Sequence, residues 1–171
     1  EMKFNTKTIH GGQKHEEATG AVMPPIFQTS TYAQSSPGVH KGYAYSRGAN
    51  PTRTALEDSL AALENGTHGF AFSSGLAAID CVLRTLNPGD EVIAGDDLYG
   101  GTYRMFTRLF MKYGLEFSYV DMNLASNVKD AITEKTKLVW IETPTNPLMK
   151  IADIAAISSV VKDTNSDILI A

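Results

Sequence analysis

Cysteine is nearly missing from this 171-residue chain: Cys81 is the only one. A disulfide framework is therefore excluded, and a reducing, cytoplasmic setting is expected. No run of eighteen apolar residues occurs, so no membrane-spanning helix is expected. The first twelve residues, Glu1 to Gly12, hold no apolar core of the kind a secretory signal needs. Positive charge is scarce and scattered: 15 Lys and Arg stand against 19 Asp and Glu, a net charge of −4. That leaves no electrostatic footprint for a nucleic acid. Neither Gly-x-Gly-x-x-Gly nor a Walker lysine is found, which removes the usual dinucleotide and nucleotide triphosphate signatures. His10, His15, His40 and His68 lack metal-ligand spacing and read as structural or surface residues. What remains is an ordinary globular composition, 43% hydrophobic and 20% charged.

Residues 1 to about 50 contain no long periodic segment. They are broken by Gly11-Gly12 and Pro24-Pro25 and read as an extended arm that packs on something other than its own core. Residues 51–171 behave differently. Asn50-Pro51 offers an N-cap and a proline at the first helical position, and Leu56, Leu60 and Leu63 follow at helical spacing. Beyond Gly66 the pattern predicts strand 69–72, helix 76–86, strand 91–94, helix 102–113 and strand 116–120. Helix 127–132, strand 138–142, helix 153–162 and a strand from 168 complete it. Cys81, among Ile79, Val82 and Leu83, reads as core. Strands alternating with helices predict an α/β fold, a mostly parallel sheet with helices on both faces. The chain stops inside its last apolar strand, so 51–171 is expected to be the first part of a larger α/β domain.

Four loops hold the candidate chemistry, because open α/β sheets bind ligands beyond the carboxyl ends of their strands. Ser73-Ser74-Gly75-Leu76 precedes a helix, where free backbone N–H groups make a phosphate cradle or, more blandly, a serine cap opens a core helix. In Asp96-Asp97-Leu98-Tyr99-Gly100-Gly101 the tyrosine ring is placed either to lie over a planar ligand or to cover the next helix. The two aspartates lack a third ligand and read as non-metal residues. Tyr45-Ser46-Arg47 offers a hydroxyl and a guanidinium fork suited to phosphate, or else an ordinary polar loop. In Glu142-Thr143-Pro144-Thr145-Asn146-Pro147 two prolines stiffen the loop and hold Asn146 in a fixed direction, for a ligand or for structure alone.

Taken together with Ile9-His10-Gly11-Gly12, Pro25 to Thr31 and Asn50-Pro51-Thr52-Arg53, these loops resemble the transsulfuration group of fold-type I pyridoxal-phosphate (PLP) enzymes, of cystathionine γ-synthase and γ-lyase type, over essentially the whole chain. The resemblance implies an aspartate aminotransferase-like sheet and PLP as cofactor. It implies γ-replacement or γ-elimination on O-acyl-homoserine or cystathionine in cysteine and methionine metabolism. Ser74, Gly75 and Leu76 would receive the cofactor phosphate, while Tyr99 would stack on the ring and move protons. Asn146 would meet ring oxygen and substrate carboxylate, and Tyr45 and Arg47 would reach the site of a neighbouring subunit in a dimer-based homotetramer, Tyr45 meeting substrate as well. The arm of residues 1–50 would then pack on that subunit. The lysine that anchors the cofactor in this family, and the aspartate that pairs with its ring nitrogen, fall beyond Ala171. The piece by itself is therefore expected to be inactive; Thr136-Lys137 opens a strand and does not replace the missing lysine. Ala44 stands where an acidic residue is common, and Ala49 where glycine is common. Cystathionine β-lyase, O-acetylhomoserine sulfhydrylase and methionine γ-lyase share the pattern. A non-catalytic α/β module binding a small anion is the alternative from another class.

Overall fold

The computed structural model describes residues 2–171. The chain separates into two compact units that meet in sequence between Ser73 and Ser74.

The first unit is organised around α2 (Pro51–Leu63). Asn50 caps it as the sequence requires, its side chain accepting from Thr52 N–H at 2.8 Å. The same amide donates to Phe27 O at 3.1 Å, and Thr52 Oγ1 accepts from Phe27 N–H at 2.8 Å, so the helix start pins residues 25–27 of the arm. Two elements within the arm were not anticipated. One is a seven-residue helix, α1 (Phe4–His10). The other is a short antiparallel hairpin, β1 (Gln34–Ser36) with β2 (Val39–His40). The glycines that read as breakers serve close packing: a Cβ on Gly12, whose φ is +69°, would lie 2.2 Å from Asp58 O of α2. Gly69 to Phe72 is not a strand. A Cβ on Gly69 would lie 2.3 Å from Glu57 O, and Ala71 N–H donates to Glu57 Oε1 at 2.9 Å, so contact with α2 takes the place of a ladder.

The second unit is the α/β sheet. It runs α3 (Gly75–Leu83), β3 (Glu91–Gly95), α4 (Gly100–Arg108), β4 (Glu116–Val120), α5 (Ala125–Ala131), β5 (Thr136–Trp140), α6 (Ile154–Thr164) and β6 (Leu169–Ile170). All the pairings are parallel, in the order β4-β3-β5-β6. Period-two alternation on β3 and β5 sends Val92, Ala94 and Leu138 into one core with Phe106, Phe110 and Leu83. Ile93 and Val139 enter a second core with Val128, Ile157 and Val161. Helices α3 and α4 thus cover one face and α5 and α6 the other, as the pattern predicts.

Boundaries differ where local chemistry decides. The predicted helix 102–113 begins two residues earlier and breaks at Leu109 into a 3-10 turn, Phe110–Tyr113, closed by Gly114 at φ +88°. Strand β5 starts two residues earlier than predicted and releases Glu142 from the ladder. Cys81 is exposed rather than core; Leu83 is the buried residue of its helix.

Candidate functional site

β3 is central in the sheet, and its crossover through α4 leads to β4 on one side. β5, its other neighbour, leads through α6 on the opposite face to β6. The carboxyl ends of β3 and β5 therefore form the point where the winding reverses, the place where open α/β sheets hold ligands. The loops that leave these two strands are 96–99 and 141–153, two of the four singled out from the sequence.

Tyr99 stands at the start of α4 with its ring about half exposed. The ring lies directly over Gly101, where a Cβ would meet Tyr99 Cε1 at 2.3 Å. Tyr99 N–H donates to Glu142 Oε2 at 2.8 Å. The other oxygen of Glu142 accepts from Thr102 Oγ1 at 2.8 Å and from Trp140 Nε1 at 3.1 Å. A carboxylate thus caps the first turn of α4, where its charge also suits the helix dipole. Glu142 was visible in the sequence only as part of a motif; its role depends on β5 ending at Trp140 beside the start of α4.

Asn146 sits on the facing loop, exposed, its side-chain amide making no hydrogen bond among the described residues. The loop beneath it is tied down. The buried carboxylate of Asp97 accepts from Thr145 Oγ1 and, at 2.9 Å, from Leu148 N–H, and Thr145 Oγ1 accepts from Lys150 N–H at 2.8 Å. Lys150 Nζ reaches back to Asp96 at 2.7 Å, which raises the lysine pKa; Asp121 adds to this from 3.7 Å. Asp97 acts as a loop latch.

Ser74 caps α3, its Oγ accepting from Ala77 N–H at 3.1 Å, while its carbonyl accepts from Ala78 N–H at 3.2 Å. The first-turn N–H groups of Gly75 and Leu76 are left without a partner among the described residues. A Cβ on Gly75 would meet nothing within 4 Å, so the approach to these donors is open. Two free amides at a helix start, facing open space, suit an anion with several oxygens. An exposed ring and an unpaired amide supply complementary contacts for a planar polar group. The donor set fits a phosphorylated heteroaromatic cofactor.

Tyr45 and Arg47 lie in the first unit. Arg47 makes no ion pair among the described residues, and its guanidinium carbon lies 4.9 Å from the centre of the exposed Tyr45 ring. Arg53, its neighbour in the motif, is committed instead: it donates to Gly48 O at 2.6 Å and pairs with Glu57 at 3.7 Å. Of these two arginines, Arg47 is the one whose fork is free among the described residues.

The second unit is an open α/β fold that carries two free amides at the start of α3 and an exposed tyrosine ring at its winding reversal. Residues 5–171 match the model of the Cys/Met metabolism PLP-dependent enzymes, and the chain belongs to that family. It is 52% identical over 163 residues to a cystathionine β-lyase of Coxiella burnetii, covering 95% of this chain and 42% of that protein. It is 54% identical over 160 residues to a probable cystathionine γ-synthase of Herpetosiphon aurantiacus, covering 94% of this chain and 50% of that protein. The crystal structure of a cystathionine γ-lyase from Lactobacillus plantarum, complexed with L-serine, superposes with a TM-score of 0.91 at 45% identity, over 99% of this chain and 44% of that one. The chain spans about half the length of the relatives it matches. Among the described residues no helix is long and apolar enough to cross a membrane.

Proposed function

We propose that the full-length protein is a PLP-dependent transsulfuration enzyme that carries out γ-replacement or γ-elimination on O-acyl-homoserine or cystathionine. The observation that carries this reading is the pairing at one sheet edge of Tyr99 and Asn146, with the two free N–H groups of Gly75 and Leu76 at the start of α3 in the same unit. When bound, PLP supplies the electron sink for bond breaking beside the substrate nitrogen. The amides of Gly75 and Leu76, with Ser74 shaping the turn, would hold its phosphate. The Tyr99 ring would cover one face of the cofactor and its hydroxyl would exchange a proton with the substrate. Asn146 would donate its amide to the ring oxygen or the substrate carboxylate.

Tyr45 and Arg47 are proposed to act on the neighbouring subunit's site, within a cytoplasmic, dimer-based homotetramer against which residues 1–50 pack. The free Arg47 fork supports this, as do Leu56 and Leu60 of α2, which are about half exposed where a helix stripe normally finds cover. A second reading, cystathionine β-lyase, is favoured by the 52% identical relative of that name. Full-length protein loaded with PLP should release cysteine and a four-carbon keto acid from cystathionine, or form cystathionine from O-acyl-homoserine and cysteine. Release of homocysteine and pyruvate would replace the proposal with the β-lyase reading. Failure to bind PLP at all would remove both.

A further inference from the structure

Two carboxylates at the winding reversal each leave their own loop to hold the other. Asp97, on the loop after β3, accepts from Thr145 and Leu148, which flank Asn146. Glu142, on the loop after β5, accepts from Tyr99 and Thr102. The lysine at the far end of the second loop, Lys150, closes on Asp96 of the first. We infer that Asp97 and Glu142 are positioning residues that form a reciprocal brace, fixing the Tyr99 ring and the Asn146 amide relative to one another. This rests on the function proposed above. Neither carboxylate has to touch cofactor or substrate: Asp97 is buried and its gripping oxygen is used twice within the chain, while both Glu142 oxygens are already engaged.

The two grips differ chemically, and the difference makes the brace testable. All the bonds of Asp97 to the facing loop go to one oxygen, Oδ2, so an amide with its carbonyl in that place reproduces them. Glu142 accepts through both oxygens, Oε2 from Tyr99 and Oε1 from Thr102 and Trp140. An amide there must point an NH2 at a donor. D97N should therefore rescue what D97A loses, while E142Q should behave as a broken brace.

The experiment uses full-length protein loaded with PLP, reading kcat, KM, the circular dichroism of the bound cofactor in its visible band, and thermal unfolding. E142Q is expected to lower kcat about tenfold or more and to weaken the cofactor dichroism, because the backbone N–H of Tyr99, which sets where its ring stands, loses its acceptor. In a Y99A background the same change should cost less than about twofold, since it acts through the Tyr99 ring. D97A should raise KM about tenfold, and should add little in an N146A background. Wild-type dichroism and kcat in E142Q, or full additivity with Y99A, would overturn the brace, as would D97N resembling D97A. If E142Q fails to fold, T102V removes one donor to Glu142 and should give a smaller loss of the same kind, two- to fivefold and non-additive with Y99A; no loss, or an additive one, counts against the brace. A wild-type protein that did not bind PLP would instead sink the functional reading.

Discussion

Gly101 shows how one missing side chain shapes the site. A helix gains stability when an interior glycine becomes alanine, by about 0.5–1 kcal/mol. Here the added methyl would fall 2.3 Å from Cε1 of Tyr99, so the ring must leave its place. Stacking of an aromatic pair is worth about 0.5–1.5 kcal/mol. Gly101→Ala in the full-length protein should therefore bind PLP about two- to tenfold more weakly while its thermal unfolding midpoint stays level or rises. Titration followed by absorbance, beside a melting curve, measures both, and unchanged affinity would mean the ring does not cover the cofactor. Gly75 presents the opposite case: its Cβ meets open space, so what it preserves is room for a ligand. Both glycines stand out in the sequence, but only the structure separates the one that accommodates a side chain of the chain from the one that faces outward.

At the scale of elements, the amino end of β3 carries a polar cluster remote from the site. Glu91 is buried, and burial alone would push its carboxyl up; hydrogen bonds from Ser118, Thr133 and Thr136 outweigh that and hold it below the usual carboxylate range. A folded pKa below the unfolded value, about 4.3, means the stabilisation is complete above that value and disappears as pH falls through the folded pKa. Glu91→Gln should cost about 1–3 kcal/mol at neutral pH. Its gap from wild type in denaturant unfolding should close below about pH 4, and a pH-independent gap would refute the assignment. Phe106 is the matching apolar element. It is fully buried, stacked at 4.6 Å on Phe117 and set edge-on to Trp140 at 6.0 Å. Phe106→Ala should cost about 3–5 kcal/mol by the same measurement.

These elements were largely legible in the sequence, since an apolar period of two or of 3.6 survives any boundary error, as β3 and α6 illustrate. Among the features that were not, three show why. Helix α1 buries no residue, so no apolar stripe announces it. Residues 69–72 carry a strand's composition yet give their backbone to α2, a tertiary choice that no local pattern encodes. Glu142 looked like one letter of a motif, because its three donors come from Tyr99, Thr102 and Trp140, two of them some forty residues away. The loops Ser74–Leu76, Tyr99 and Asn146 were singled out as a set through family resemblance, each being ambiguous alone.

For the whole molecule, the proposal that Tyr45 and Arg47 serve a neighbour's site has a direct consequence. Consider two inactive full-length variants. Arg47→Ala keeps an intact cradle at Gly75 but offers no guanidinium. Gly75→Asp keeps Arg47 but sets a carboxylate against the incoming phosphate; the side chain enters open space, so folding should survive. If each site combines one subunit's cradle with the other's Arg47, a mixed dimer holds one site with both intact parts and one with neither. Random re-association of equal amounts yields half mixed dimers, and therefore roughly a quarter of all sites restored. Mixing the variants under conditions that exchange subunits should raise activity from near nothing toward that fraction of wild type. Were Arg47 to serve its own subunit's cradle, every site in every dimer would carry a defect and mixing would restore nothing. The first outcome is the one the proposal requires: among the described residues Arg47 has no anionic partner and lies over the Tyr45 ring, so its fork is available for charge-assisted bonds to a neighbour's phosphate.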